Sequence, residues 1–209
     1  MAQQTSLFEP TATAGPEATE LPDADLRFVP GLFDAEASER LFDELLATSA
    51  WKQDTIHMYG RRLLVPRLTA WYGERKTSYT YSNIRLEPRG WTAPLLEVQA
   101  AVEEVAGVAF NSALANLYRD GRDSVAWHAD DEPELGHHPV IASVSFGATR
   151  RFDLRHDDDH TIRTSYELTP GSLLLMRGPT QHHWQHRIAK TAKPVGPRIN
   201  LTFRQTTRT

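Results

Sequence analysis

Arg198-Ile199-Asn200-Leu201-Thr202-Phe203-Arg204 alternates without a break, polar at even positions and apolar at odd ones. Successive side chains of a strand point to opposite faces, so this segment is a strand with one core face and one polar face. A buried unpaired charge is very unfavourable, so the polar face lines either water or a ligand cavity. Guanidiniums meet carboxylates through paired hydrogen bonds, and the natural ligand of two of them is a small dicarboxylate. Further short strands precede it over residues 114–118, 124–128, 140–146, 151–154, 161–167 and 172–176. Two amphipathic helices come before these. One is capped by Asp34 and carries Leu41, Phe42, Leu45 and Leu46; the other runs from about Pro94 to Val105. Many short strands after two helices predict a mainly β fold, a sandwich or jelly roll backed by helices.

Trp127-His128-Ala129-Asp130 and Trp184-Gln185-His186 supply a second kind of chemistry. If residues 128 and 130 share a strand, His128 and Asp130 face the same way, and His186 can close the triangle from another strand. Two imidazoles and one carboxylate on one side of a metal leave other positions open, the set used by non-haem Fe(II) oxygenases. Other histidines are weaker candidates. His137 and His138 follow Gly136 in a polar loop, and residues 155–160 form a charged turn between strands.

Taken together with Pro66-Arg67-Leu68-Thr69-Ala70-Trp71-Tyr72-Gly73, Tyr79-Thr80-Tyr81-Ser82 and residues 116–131, these motifs resemble the AlkB family of Fe(II)/2-oxoglutarate dioxygenases. The branch of AlkB homologues two and three is the most similar. The resemblance spans residues 66–204 in the family's order. It implies a double-stranded β-helix (jelly-roll) core with an N-terminal helical and hairpin lid region. It also implies Fe(II) on His128, Asp130 and His186, with O2 and 2-oxoglutarate as cosubstrates. Arg198 and Tyr118 would hold the distal carboxylate of 2-oxoglutarate, and Arg204 and Asn116 its chelating end, with Asn200 on the same strand face. The implied activity is oxidative demethylation of N1-methyladenine and N3-methylcytosine in DNA, with RNA as a second substrate class. Formaldehyde, succinate and CO2 are the implied products. Asp131 would accept the exocyclic amine of the damaged base, and Tyr81 would stack on it.

The net charge of −4 looks wrong for a nucleic-acid enzyme until it is divided. Residues 1–54 carry 11 acidic and 3 basic side chains, whereas residues 55–209 carry 16 and 20. Local basic surface is what meets phosphate. Within residues 55–82, Arg61, Arg62, Arg67, Arg75 and Lys76 are interleaved with Tyr59, Trp71, Tyr72, Tyr79 and Tyr81. That mixture suits phosphate contact plus base stacking, and the resemblance makes this segment the nucleotide-recognition lid. Residues 55–65 read as a hairpin with Gly60 near its tip, and Met58-Tyr59 is a candidate wedge in duplex DNA.

Residues 1–25, rich in Ala, Thr, Pro, Gln and Glu, read as a disordered tail before a catalytic domain over 26–209. In that tail Gln4-Thr5-Ser6-Leu7-Phe8 resembles the short QxxLF peptide with which bacterial proteins dock on the replication sliding clamp, through Gln4, Leu7 and Phe8. The chain has no cysteine, hence no disulfide, thiolate metal site or cysteine nucleophile. It has no leader-like or membrane-length apolar run, which leads to the expectation of a cytoplasmic monomer away from membranes. Two other functions remain open at this point: an oxygenase of the same chemistry acting on a small molecule or protein, and a non-catalytic jelly-roll binding module.

Overall fold

The computed structural model describes residues 21–206 except 59–60, 75–78, 82–83 and 87, with backbone alone at 56–58, 61, 79–81 and 84–86. The chain begins with β1 (Asp25–Val29), α1 (Ala35–Thr48), β2 (Thr55–Met58), β3 (Arg61–Leu64), β4 (Leu68–Gly73), β5 (Tyr79–Tyr81) and β6 (Ile84–Leu86). It continues with α2 (Ala93–Ala106), β7 (Ser112–Tyr118), β8 (Val125–His128), β9 (Ile141–Gly147), β10 (Arg150–His156) and β11 (Arg163–Leu168). β12 (Leu173–Arg177), α3 (Thr180–His183), β13 (Trp184–Ile188) and β14 (Arg198–Arg204) complete it.

Asp34 starts α1 by accepting the Ala37 N–H at 2.8 Å, and Gly107, at φ +71°, ends α2 in the left-handed conformation that favours glycine. A six-stranded antiparallel sheet in the order β1-β12-β9-β14-β7-β4 faces a four-stranded one in the order β11-β10-β13-β8. β7 and β14 are buried at every residue, as strands covered on both faces must be.

Strand parity divides the interior into two parts. Ala113, Ala115 and Leu117 of β7, Leu173 and Leu175 of β12, and Ile199, Leu201 and Phe203 of β14 pack against Leu41, Leu45, Leu95, Val98 and Val102 of the helices. Residues of opposite parity, among them Leu114, Ile141, Leu174 and Met176, meet Phe152, Leu154, Trp184 and Ile188 of the smaller sheet. Burying a side chain of this size contributes about 1.5–3 kcal/mol, so the two apolar layers clamp the large sheet between them. The jelly-roll expectation holds. The turn out of β9 needs glycine: Gly147 sits at φ +78°, and a Cβ there would lie 2.5 Å from the Pro197 carbonyl oxygen.

Two boundaries differ from the sequence expectation. Order begins before residue 26: Leu21 and Ala24 pack on the inter-sheet core, the Pro22 carbonyl accepts the Trp184 indole N–H at 2.9 Å, and β1 starts at Asp25. A buried indole N–H requires an acceptor, and this end of the chain supplies it. The segment assigned to a lid is also two kinds of structure. The β2–β3 and β5–β6 hairpins stand outside both sheets, but β4 is the edge strand of the large sheet, paired with β7 throughout. Ala70 and Tyr72 of β4 lie in the helix-side core and Trp71 in the inter-sheet core. Among the described residues no helix is long and apolar enough to cross a membrane.

Candidate metal and dicarboxylate site

Between the sheets lies a cavity with about 460 Å³ of empty space, its mouth included. One wall is the polar face of β14, with Arg198, Asn200, Thr202 and Arg204; the other carries His128, Phe152 and His186. The alternation that packs Ile199, Leu201 and Phe203 under the helices is what turns these polar groups inward.

His128 and His186 are register partners across the β8–β13 pair, with ring centroids 4.2 Å apart. One donor atom each from His128, Asp130 and His186 falls within 4.8 Å of the others. His128 Nδ1 lies 2.9 Å from the Ala126 carbonyl, which can only accept, so the proton resides on Nδ1 and the Nε2 lone pair is left free. His186 is buried against Phe152, whose ring stacks on it at 5.1 Å. Burial, then neighbouring His128, pushes its pKa down to about 3, which keeps the imidazole neutral as a ligand must be. His128 is lowered too, burial again being the main cause.

Asp130 is not on the strand, as the spacing had suggested, because β8 stops at His128. Its backbone N–H turns away from the sheet and is accepted by Gln181 Oε1 at 2.8 Å. Gln181 belongs to α3, so the carboxylate is positioned by a side chain distant in sequence. Burial would raise the Asp130 pKa, but the Arg204 guanidinium and the two imidazoles outweigh it and hold the group well below the usual carboxylate range. The Arg204 Nη2–Asp130 Oδ1 ion pair is 2.8 Å long, and both side chains are 2 % exposed. Removing one member of a buried pair costs about 3–5 kcal/mol. Asp130→Ala is therefore expected to lower the urea-unfolding free energy of metal-free protein by about that amount. Adding Arg204→Met should recover much of the loss.

Arg198 is 1 % exposed and its Nη2 donates to Ser145 Oγ at 2.9 Å. Its Nε and Nη1 have no hydrogen-bond partner, and no carboxylate among the described residues pairs with it. Tyr118 lies beneath it, ring centroid 5.1 Å from the guanidinium carbon. Burial pushes its pKa down to about 10. Such an under-satisfied buried cation is what a site built for an anion looks like without it.

The other anticipated residues fall in different places. Asn116 Oδ1 accepts from Arg67 Nε at 2.7 Å, and both side chains are buried on the cavity wall. The Asn200 amide donates to Ser143 Oγ at 2.8 Å and the Val144 carbonyl at 2.9 Å, and accepts from the Thr202 hydroxyl at 3.2 Å. It therefore holds β9 to β14 as well as lining the cavity. Asp131 is exposed in the loop after β8. Tyr59, the tail residues Gln4, Leu7 and Phe8, and the side chain of Tyr81 lie outside the described residues. Phe152, Gln181 and Ser145 were not anticipated. Alternation marks Phe152 as inward-facing but not as the ring beneath His186, and no local signal links Gln181 to Asp130.

The family model described as the 2OG-Fe(II) oxygenase superfamily matches residues 25–204. DNA oxidative demethylase ALKBH2 of Mus musculus is 39% identical over 186 residues, covering 83% of this chain and 77% of that one. The chain belongs to the AlkB family of 2OG-Fe(II) oxygenases. Alpha-ketoglutarate-dependent dioxygenase alkB homolog 3 of Bos taurus is 47% identical over 184 residues, 84% of this chain; the chain spans 64% of that relative's length. The solved structure of OsALKBH1 superposes with a TM-score of 0.62 at 17% identity, over 87% of this chain and 97% of that one, which establishes a shared fold. The family works with Fe(II), 2-oxoglutarate and O2. The residues present fit that set: an N,N,O donor group with neutral imidazoles, beside a buried guanidinium with two unbonded nitrogens.

Proposed function

We propose that this protein is a DNA repair dioxygenase that removes methyl groups from N1-methyladenine and N3-methylcytosine in DNA, with RNA as a second substrate class. The observation that carries the reading is the convergence, in one cavity, of the His128–Asp130–His186 donor set with buried Arg198 and Arg204. The names of the relatives at 39–47% identity point the same way. His128, Asp130 and His186 would hold Fe(II). Arg198, over Tyr118, would take the distal carboxylate of 2-oxoglutarate, and Arg204, aided by Asn116, the end nearer the metal. Arg67 orients Asn116, and Asn200 shapes the wall between them. Bound iron, 2-oxoglutarate and O2 supply the oxidant that hydroxylates the N-methyl group, after which formaldehyde leaves and succinate and CO2 remain.

Both substrates carry the methyl on the Watson–Crick edge, so the base must leave the duplex before it can reach the cavity. They are cations, and exposed Asp131 at the end of the iron-binding segment offers charge complementarity and a hydrogen-bond acceptor. Tyr81 would stack on the extruded base. Formaldehyde and succinate release should require a methylated oligonucleotide. Oligonucleotide-independent turnover of a small molecule or protein would replace this reading, and no succinate under any condition would make the domain a binding module.

Three further assignments belong to this reading. Residues 1–20 would act as a tether to the catalytic unit that follows, the protein working as a cytoplasmic monomer. β2 and β3 pair Met58 with Arg61; Met58-Tyr59 would act as a wedge in duplex DNA, filling the gap left by the flipped base. Tyr59→Ala should depress repair of duplex more than of single strands, and equal loss on both would remove the wedge. Gln4, Leu7 and Phe8 would dock an extended peptide on the sliding clamp. A peptide of residues 1–12 should bind purified clamp, with binding lost on joint Leu7→Ala and Phe8→Ala substitution.

A further inference from the structure

Among the described residues, two other groups containing imidazoles converge outside the cavity, and both draw on α3. His182 meets His137 and His138 from the loop between β8 and β9, whereas His183 meets Asp23 and His156. Their proton placement separates them. His156 Nδ1 accepts the Asp158 backbone N–H at 3.3 Å, so its proton sits on Nε2, which faces Asp23 Oδ2 at 3.4 Å. Both nitrogens are occupied, and that group is a hydrogen-bonded latch. In the other group, His182 Nε2 donates to the His137 carbonyl, which leaves Nδ1 with its lone pair, the tautomer a metal ligand needs.

The rings of His137 and His138 lie 4.3 Å apart, those of His137 and His182 5.0 Å, and those of His138 and His182 5.6 Å. One nitrogen of each is within 4.8 Å of the others, and all three side chains are exposed, so rotation about exposed bonds can tighten the set. No carboxylate belongs to the group. Three imidazoles without oxygen donors select against Mg2+, Ca2+ and Mn2+ and suit Zn2+ and its neighbours.

We propose that His137, His138 and His182 form a second metal site, on the surface, for a divalent cation of the zinc class. An ion there ties the β8–β9 loop to α3. These two segments already meet where Gln181 accepts the Asp130 N–H and where His182 Nε2 donates to the His137 carbonyl. The loop also carries Asp131, so zinc occupancy would stiffen the segment presented to substrate.

Equilibrium dialysis of the metal-free full chain against Zn2+ tests this. Two zinc ions per chain are expected, because the His128 group also accepts zinc. His182→Ala and His128→Ala should each take one, the double variant none, and His183→Ala still two. Zinc should slow amide exchange over residues 131–139 in the parent and not in His182→Ala. A single ion in the parent, two retained in His182→Ala, or one lost in His183→Ala overturns the proposal. All three ligands are exposed, so folding of the surface variants is not in question.

Discussion

His128→Ala and His186→Ala should each cut the proposed demethylation by more than about 100-fold, beyond the 10–100-fold cost of losing an outer partner of a metal ligand. A three-ligand site that loses one nitrogen holds iron too weakly to retain it, and neither imidazole has another role in the cavity. Asp130→Ala should be equally inactive for a further reason. It removes the buried carboxylate that pairs with Arg204, so it loses stability together with activity, whereas the histidine variants retain the Arg204–Asp130 pair. Formaldehyde release measured beside urea unfolding separates the two outcomes. Near-normal activity in His186→Ala, with loss in His183→Ala, would move the third ligand to the neighbouring imidazole on α3.

Arg198→Met is expected to weaken 2-oxoglutarate binding by about 10- to 150-fold, the worth of a charge-assisted hydrogen bond at roughly 1.5–3 kcal/mol. The same variant should leave the cosubstrate-free protein as stable as the parent or more so. In the parent, a buried guanidinium is held with Nε and Nη1 unbonded, and an apolar side chain of similar reach removes that penalty. Arg204→Met should combine weaker cosubstrate binding with damage to Asp130, hence lower metal retention. Titration of 2-oxoglutarate with thermal unfolding on the same samples distinguishes them. Unchanged affinity in Arg198→Met would end the assignment of this residue to the distal carboxylate.

Much of the architecture was legible because its signals are local and periodic. The alternation of residues 198–204 names both faces of β14, and the Asp34 cap with Leu41 and Leu45 defines α1. The lid boundary was misread at β4 because Trp71 and Tyr72 among arginines suggest a stacking surface, while both are buried in the structure. Composition cannot distinguish an aromatic that meets a base from one that meets a core. The tail boundary failed for a related reason: Leu21 to Asp25 shows no periodicity of its own, and its order comes from Trp184, Thr180 and the strand pairing with β12.

By itself the sequence determined the donor types, the parity that sends Arg198 and Arg204 to one face, and the family. These depend on residue identity and on a period of two, and they do not change with what lies across the sheet. Only the tertiary structure decided that His128 stands opposite His186, and that Gln181 rather than a strand neighbour positions Asp130. It also decided that Arg204 is paired while Arg198 keeps two nitrogens unbonded, and that three surface histidines from a loop and a helix converge. Each of these is a contact between segments far apart in the chain, set by how the sheets close on each other, and no local period carries it.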